Sequence, residues 1–131
     1  MNEQEFVHAF IRRTYRDRLL YELSTEQKRC RGLSRFCHQA DDLIDARMIL
    51  RKSTQLEQDA VFQTFLKQQT GTCQIWSPDP AIDRLCLPLS DAVSAAARSC
   101  DAAILLGDGW AAVFTEAEKG GRMKYLLAEK R

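Results

Sequence analysis

AAILLGDGWAAVF, residues 102–114, sets two apolar runs on either side of Gly107-Asp108-Gly109. An Asp-Gly step between apolar runs predicts a tight hairpin, because glycine takes the positive φ of such a turn at no steric cost. Ala102 to Leu106 therefore reads as a buried strand and Trp110 to Glu116 as its return. Gly120-Gly121 marks a second reversal, after which RMKYLL, residues 122–127, puts Met123, Tyr125 and Leu127 on one face and Arg122 and Lys124 on the other. The C-terminal third is expected to be a three-stranded antiparallel meander.

Moving outward, Ser90 to Ser99 predicts a short helix with a serine N-cap and an alanine-rich body. TCQIWS, residues 72–77, has β-branched and aromatic strand character, ended by Pro78 and Pro80, which cannot continue a ladder. Strand, helix and strand over 72–106 make a plausible crossover unit, right-handed if its strands are parallel.

The N-terminal half reads as helices. Phe6, Val7, Phe10, Ile11, Tyr15 and Leu19 keep a helical period over Glu3 to Leu23. Ser24-Thr25-Glu26-Gln27 has the form of a capping box and opens a second helix over 25–44, with further helical turns over Asp45 to Arg51. Thr54-Gln55-Leu56-Glu57 repeats the device for a third helix, which carries Val61, Phe62, Phe65 and Leu66 and stops at Gly71. The expected fold class is α+β: a helical N-terminal half packed on a small mixed β-sheet of about four strands, with a C-terminal antiparallel meander and the helices on one face.

At 131 residues and 15.0 kDa the chain is expected to form a single globular domain, 1–131, alone or as a homodimer. Nineteen Lys plus Arg against eighteen Asp plus Glu leave a formal charge of +1, too small for a global field that steers the chain to nucleic acid or membrane. MNEQEF lacks the charged and apolar regions of a secretory signal, and no apolar run is long enough to span a bilayer. The five cysteines never form Cys-x-x-Cys, so reduced, mostly buried thiols in a cytoplasmic protein are expected, without cofactor or structural metal.

SRFCHQADDLID, residues 34–45, holds the nearest approach to a catalytic or metal motif. Wound as a helix, Cys30, Leu33, Phe36, Cys37, Ala40 and Ile44 form a core-facing stripe, which assigns Cys37 to packing. His38, Asp41, Asp42 and Asp45 fall on a second, solvated stripe. A zinc site needs three or four protein ligands, and the other histidine, His8, lies far away in sequence. A metal-assisted hydrolase using His38, Asp41 and Asp42 is the alternative reading. No nucleophile elbow or phosphate loop occurs.

The uneven feature is charge. From Phe10 to Phe36 eight bases face three acids, and arginine dominates. Arg12, Arg13, Arg16, Arg29, Arg31 and Arg35 are the candidate binding residues, since guanidinium forks grip carboxylates and phosphates in pairs of hydrogen bonds. The leading expectation is a small, non-catalytic binding or regulatory protein whose arginine-rich helical face takes an acidic protein, a nucleic acid or a phosphorylated ligand.

Overall fold

The computed structural model describes residues 1–116 and 121–129. Its α+β architecture runs α1 (Glu3–Phe10), α2 (Arg16–Ser24), α3 (Glu26–His38), α4 (Ala40–Leu43), β1 (Ile49–Ser53), α5 (Ala60–Lys67), β2 (Thr72–Trp76), β3 (Cys86–Pro88), α6 (Leu89–Arg98), β4 (Ala103–Leu106), β5 (Trp110–Phe114) and β6 (Lys124–Ala128). Three 3-10 turns lie at Arg13–Tyr15, Ala46–Met48 and Leu56–Gln58. The helical N-terminal half and the C-terminal β4-β5-β6 meander are both present.

The sheet has six strands in the order β1-β6-β5-β4-β2-β3, and each neighbouring pair is antiparallel, in place of the smaller mixed sheet expected. Two strands account for the difference. β1 stands where helical turns are expected; its edge position and the exposed Arg51 and Lys52 hide it from an apolar pattern. β3 is only three residues long and pairs with β2. The crossover exists, but it runs from β3 through α6 to β4, with β2 between them.

The meander strands are buried along their whole length, as the runs AILL, WAAVF and KYLLA suggest, so the sheet needs cover on both faces. It has that cover, which corrects the expectation of helices on one face. One core gathers Phe6, Phe10, Leu19, Leu33 and Phe36 of α1–α3 against Trp76, Ile104, Val113 and Leu127. The other gathers Phe62 of α5 and Ala92 and Ala96 of α6 against Ile75, Leu105, Trp110 and Leu126.

The first expected helix is broken after Phe10. Ile11 leaves helical geometry to form an antiparallel bridge with Ile44, and the Arg12 amide donates to the Leu43 carbonyl at 2.8 Å. Burying Ile11 and pairing its backbone across the fold outweighs the continued helical period. Gln39 similarly separates α3 from α4.

Neither capping box closes: Thr25 is the N-cap of α3 without a side-chain bond, and Asp59 caps α5 by accepting from the Phe62 amide at 3.0 Å. Pro88, rather than a serine, precedes α6. The Asp108-Gly109 hairpin forms with Gly109 at φ 76°, and Gly71 takes φ 88° after α5. Of the Gly120-Gly121 reversal, Gly120 lies outside the described residues.

All five cysteines are free. Cys37 and Cys73 are buried, whereas Cys30, Cys86 and Cys100 are exposed, contrary to the expectation of mostly hidden thiols. Cys86 is exposed because its strand is at the sheet edge.

Candidate functional site

The six arginines do not make one surface. Arg12 donates through Nε to the Ile44 carbonyl at 3.0 Å, and Arg16 through Nε to the Ile11 carbonyl at 2.9 Å, so both help to tie the break after α1. Arg29 is buried, with Nη2 donating to Asp83 Oδ1 at 2.7 Å and the guanidinium 5.5 Å from the Trp76 ring centroid. It clips α3 to the 77–85 loop and presents nothing to a partner, which corrects its place among the binding candidates. Arg35 pairs with the buried Glu22 of α2. Arg13 and Arg31 are exposed.

What the fold does gather is the outer side of the α2–α3 hairpin. The two helices approach closely at Gly32, where a Cβ atom would come within 2.8 Å of Glu22 Cβ. Glu22 is thereby held between Arg35 and Arg18, whose Nε lies 3.8 Å from Glu22 Oε1. Tyr15, Arg18 and Tyr21 recur at intervals of three and stand out from the surface, Tyr21 at 57% exposure and the Arg18 side chain at 71%. Lys28 of α3 sits 5.1 Å from the Tyr21 ring centroid, and Arg31 lies one turn below Arg35. Tyr15 is not the core residue that the helical period implies: the break after Phe10 changes the phase of the chain and turns it outward.

The SRFCHQADDLID segment borders a cavity of about 390 Å³, where the end of α3 and α4 meet the far end of β5 and β6. His38, Asp41 and Asp42 line it, joined by Thr115, Glu116 and Tyr125 from the sheet. Tyr125 Oη and Lys52 Nζ each donate to Asp41 Oδ1 at 2.7 Å. Those bonds hold the Asp41 carboxyl below its ordinary range, while burial and then the Asp41 bond push the Tyr125 phenol upward. Both shifts oppose acid–base work near neutral pH, since the carboxylate resists protonation and the phenol resists ionisation. Cys37 also lines the cavity, but burial raises its thiol and suppresses the thiolate. Asp45 turns away to bond Arg47, and among the described residues no group of three or more His, Cys, Asp and Glu is placed to hold a metal ion.

Sequence reasoning reached the helical half of this cavity and missed Thr115, Glu116 and Tyr125, which the sheet brings to it, and Lys52, which reaches its Asp41 from β1. Comparison with protein-family models, curated proteins and solved structures found no significant match to this chain. Among the described residues no helix is long and apolar enough to cross a membrane.

Proposed function

We propose that the chain is a small, cytoplasmic, non-catalytic binding or regulatory protein that engages an acidic protein through the outer side of α2–α3. The observation that supports this reading is the exposed Tyr15-Arg18-Tyr21 stripe flanked by Lys28 and Arg31. Tyrosine and arginine together are the residues that most often anchor protein interfaces, because each offers a large rigid contact surface with a polar tip. Arginine forks then suit carboxylates on the partner. Asp17, Glu22 and Glu26 interrupt the patch, which disfavours a continuous phosphate backbone relative to discrete acidic side chains.

The test places a benzoylphenylalanine cross-linker at Tyr21 and, as control, at the exposed Ala97 of α6. An acidic protein should be captured from position 21 only, with a yield that falls as salt rises. Arg18→Gln combined with Arg31→Glu should reduce that capture without changing thermal unfolding. Equal capture from position 97, or an unchanged yield in the double variant, overturns the proposal.

The second reading, a metal-assisted hydrolase, rests on His38, Asp41 and Asp42 lining one cavity. Stoichiometric zinc, manganese or iron in protein purified without added metal would favour it over the binding role.

A further inference from the structure

The loop that joins β2 to β3 is built around a turn with its own bonds. The Ile82 and Asp83 amides donate to the Asp79 carbonyl at 3.2 and 3.0 Å, and the Ala81 amide donates to Asp79 Oδ1 at 2.9 Å. Its entry is fixed: Ser77 Oγ donates to the Ala102 carbonyl at 2.6 Å, Ser99 Oγ donates to Asp79 Oδ2 at 3.0 Å, and Pro78 and Pro80 stiffen the backbone. Beyond Asp79 the turn meets α3 through charges. Arg84 forks onto Glu26 at 3.0 and 2.6 Å, and Asp83 Oδ1 accepts from both Arg29 Nη2 and the Ser77 amide. Ile82 packs, partly buried, toward the α5–α6 core.

Two features weigh against this closed arrangement. Arg29 is 3% exposed, yet its Nε–H and Nη1–H have no acceptor among the described residues. Buried polar groups ordinarily find partners, and here one carboxylate oxygen serves a single nitrogen of a guanidinium that carries five N–H donors. The Trp76 ring answers the charge with its π face but supplies no lone pair. Arg84 has φ 67°, the only positive φ outside glycine among the described residues, in the left-handed region that a side chain disfavours. Both costs are relieved together if the turn leaves α3: water reaches the guanidinium, and Arg84 returns to negative φ.

We propose that residues 80–84 form a latch that swings off α3 as a unit while both cores stay folded, and so uncovers Arg29. The Arg29–Asp83 and Arg84–Glu26 ion pairs are its clasp, and the backbone at Asp79 and Arg84 supplies its hinges. The bonds inside the turn survive the motion, because Asp79 stays tied to Ser99 while the clasp opens. The latch lies on the side of α3 that faces the loop, and it stands whether or not the outer side of α2–α3 binds an acidic protein.

Hydrogen exchange of the whole chain, followed by NMR, tests the latch. The Ser77 amide and the Arg29 Nε–H should exchange through one shared opening, at least about 100-fold more populated than the opening that exposes the β5 amides, since local openings lie well below the global free energy. Low denaturant should leave that opening unchanged while it speeds exchange in β5, because the turn uncovers little surface. Arg29→Met with Asp83→Asn removes the unpaired donors and keeps an acceptor for the Ser77 amide. Ser77 should then exchange at least about threefold more slowly, as apolar replacement of a buried ion pair is often stabilising. If that variant fails to fold, the wild-type comparison still decides. Protection of Ser77 and Arg29 equal to that of β5, separate openings for the two groups, or Ser77 exchange no slower in the folded double variant overturns the latch.

Discussion

Ile104 and Leu106 of β4 face one side of the sheet, and Ala103 and Leu105 face the other, so the same strands floor two cores. The α1–α4 side is aromatic at its centre: Phe6 meets Phe10, Phe36 and Trp76 edge-on, with centroids 5.6–5.7 Å apart. The α5–α6 side is rich in small residues, with Ala92, Ala96, Ala103, Ala112 and Ala128 in its core. Four helices interlock large groups over the first face. Two short helices lie close on a smoother second face and leave the row at Leu50, Ala128 and Trp110 open. The comparison teaches that the same backbone supports a closed core or a groove, according to where bulk sits and how far the covering helix extends.

The largest expected effect tests how the closed side is clipped. Asp83→Ala leaves the Arg29 guanidinium buried without its carboxylate and also removes the acceptor of the Ser77 amide, so unfolding stability in denaturant should fall by about 3 kcal/mol. A loss below about 1 kcal/mol would show that the clip is decorative.

On the open side, position should matter more than residue type. Ala112→Leu overpacks the fully buried centre and should cost about 1–3 kcal/mol, while the same change at Ala128 extends into the groove and should cost less than about 0.5 kcal/mol. Equal costs would mean that the groove closes in solution.

A smaller effect separates the cavity beside α4 from both cores. Asp41 titrates below its ordinary value of 3.8 in the folded protein because of Lys52 and then Tyr125. Its contribution is therefore complete above the unfolded value and lost as pH falls through the lowered one. The stability difference between wild type and Asp41→Asn should be less than about 1 kcal/mol at neutral pH, since the carboxylate is exposed, should shrink as pH falls below the ordinary value of 3.8, and should vanish only in acid well below the lowered value. A difference that persists there would assign the effect to packing.

The smallest perturbation is chemical labelling. Cys30, Cys86 and Cys100 should react with a bulky thiol reagent in the folded state, whereas Cys37 and Cys73, whose thiols burial pushes upward, the latter to about 11, should react only on unfolding.

The meander was legible because its information is local. Gly109 permits the turn, and unbroken apolar runs beside it read as strands whatever the rest of the chain does. Those runs also carried an unread signal: strands apolar at every position need cover on both faces, which a periodicity of two would not. Gly71 ending a helical segment was local in the same way. β1 was not legible, since ILRKS owes its strand geometry to β6, more than seventy residues away in sequence.

The candidate sites divide along the same line. Residue types, charge balance and the helical stripe that buries Cys37 are properties of short segments, and the sequence alone determined them. Whether an arginine is a binding group or an internal clip depends on which loop reaches it, and only tertiary structure brought Asp83 to Arg29, Glu22 to Arg35 and Ile44 to Ile11. The physical reason is that local propensity amounts to tenths of a kcal/mol per residue, whereas burying an isoleucine or pairing a buried charge is worth several times more. Where the two conflict, as after Phe10, the long-range term sets the path of the chain, and with it the faces that remain free to bind.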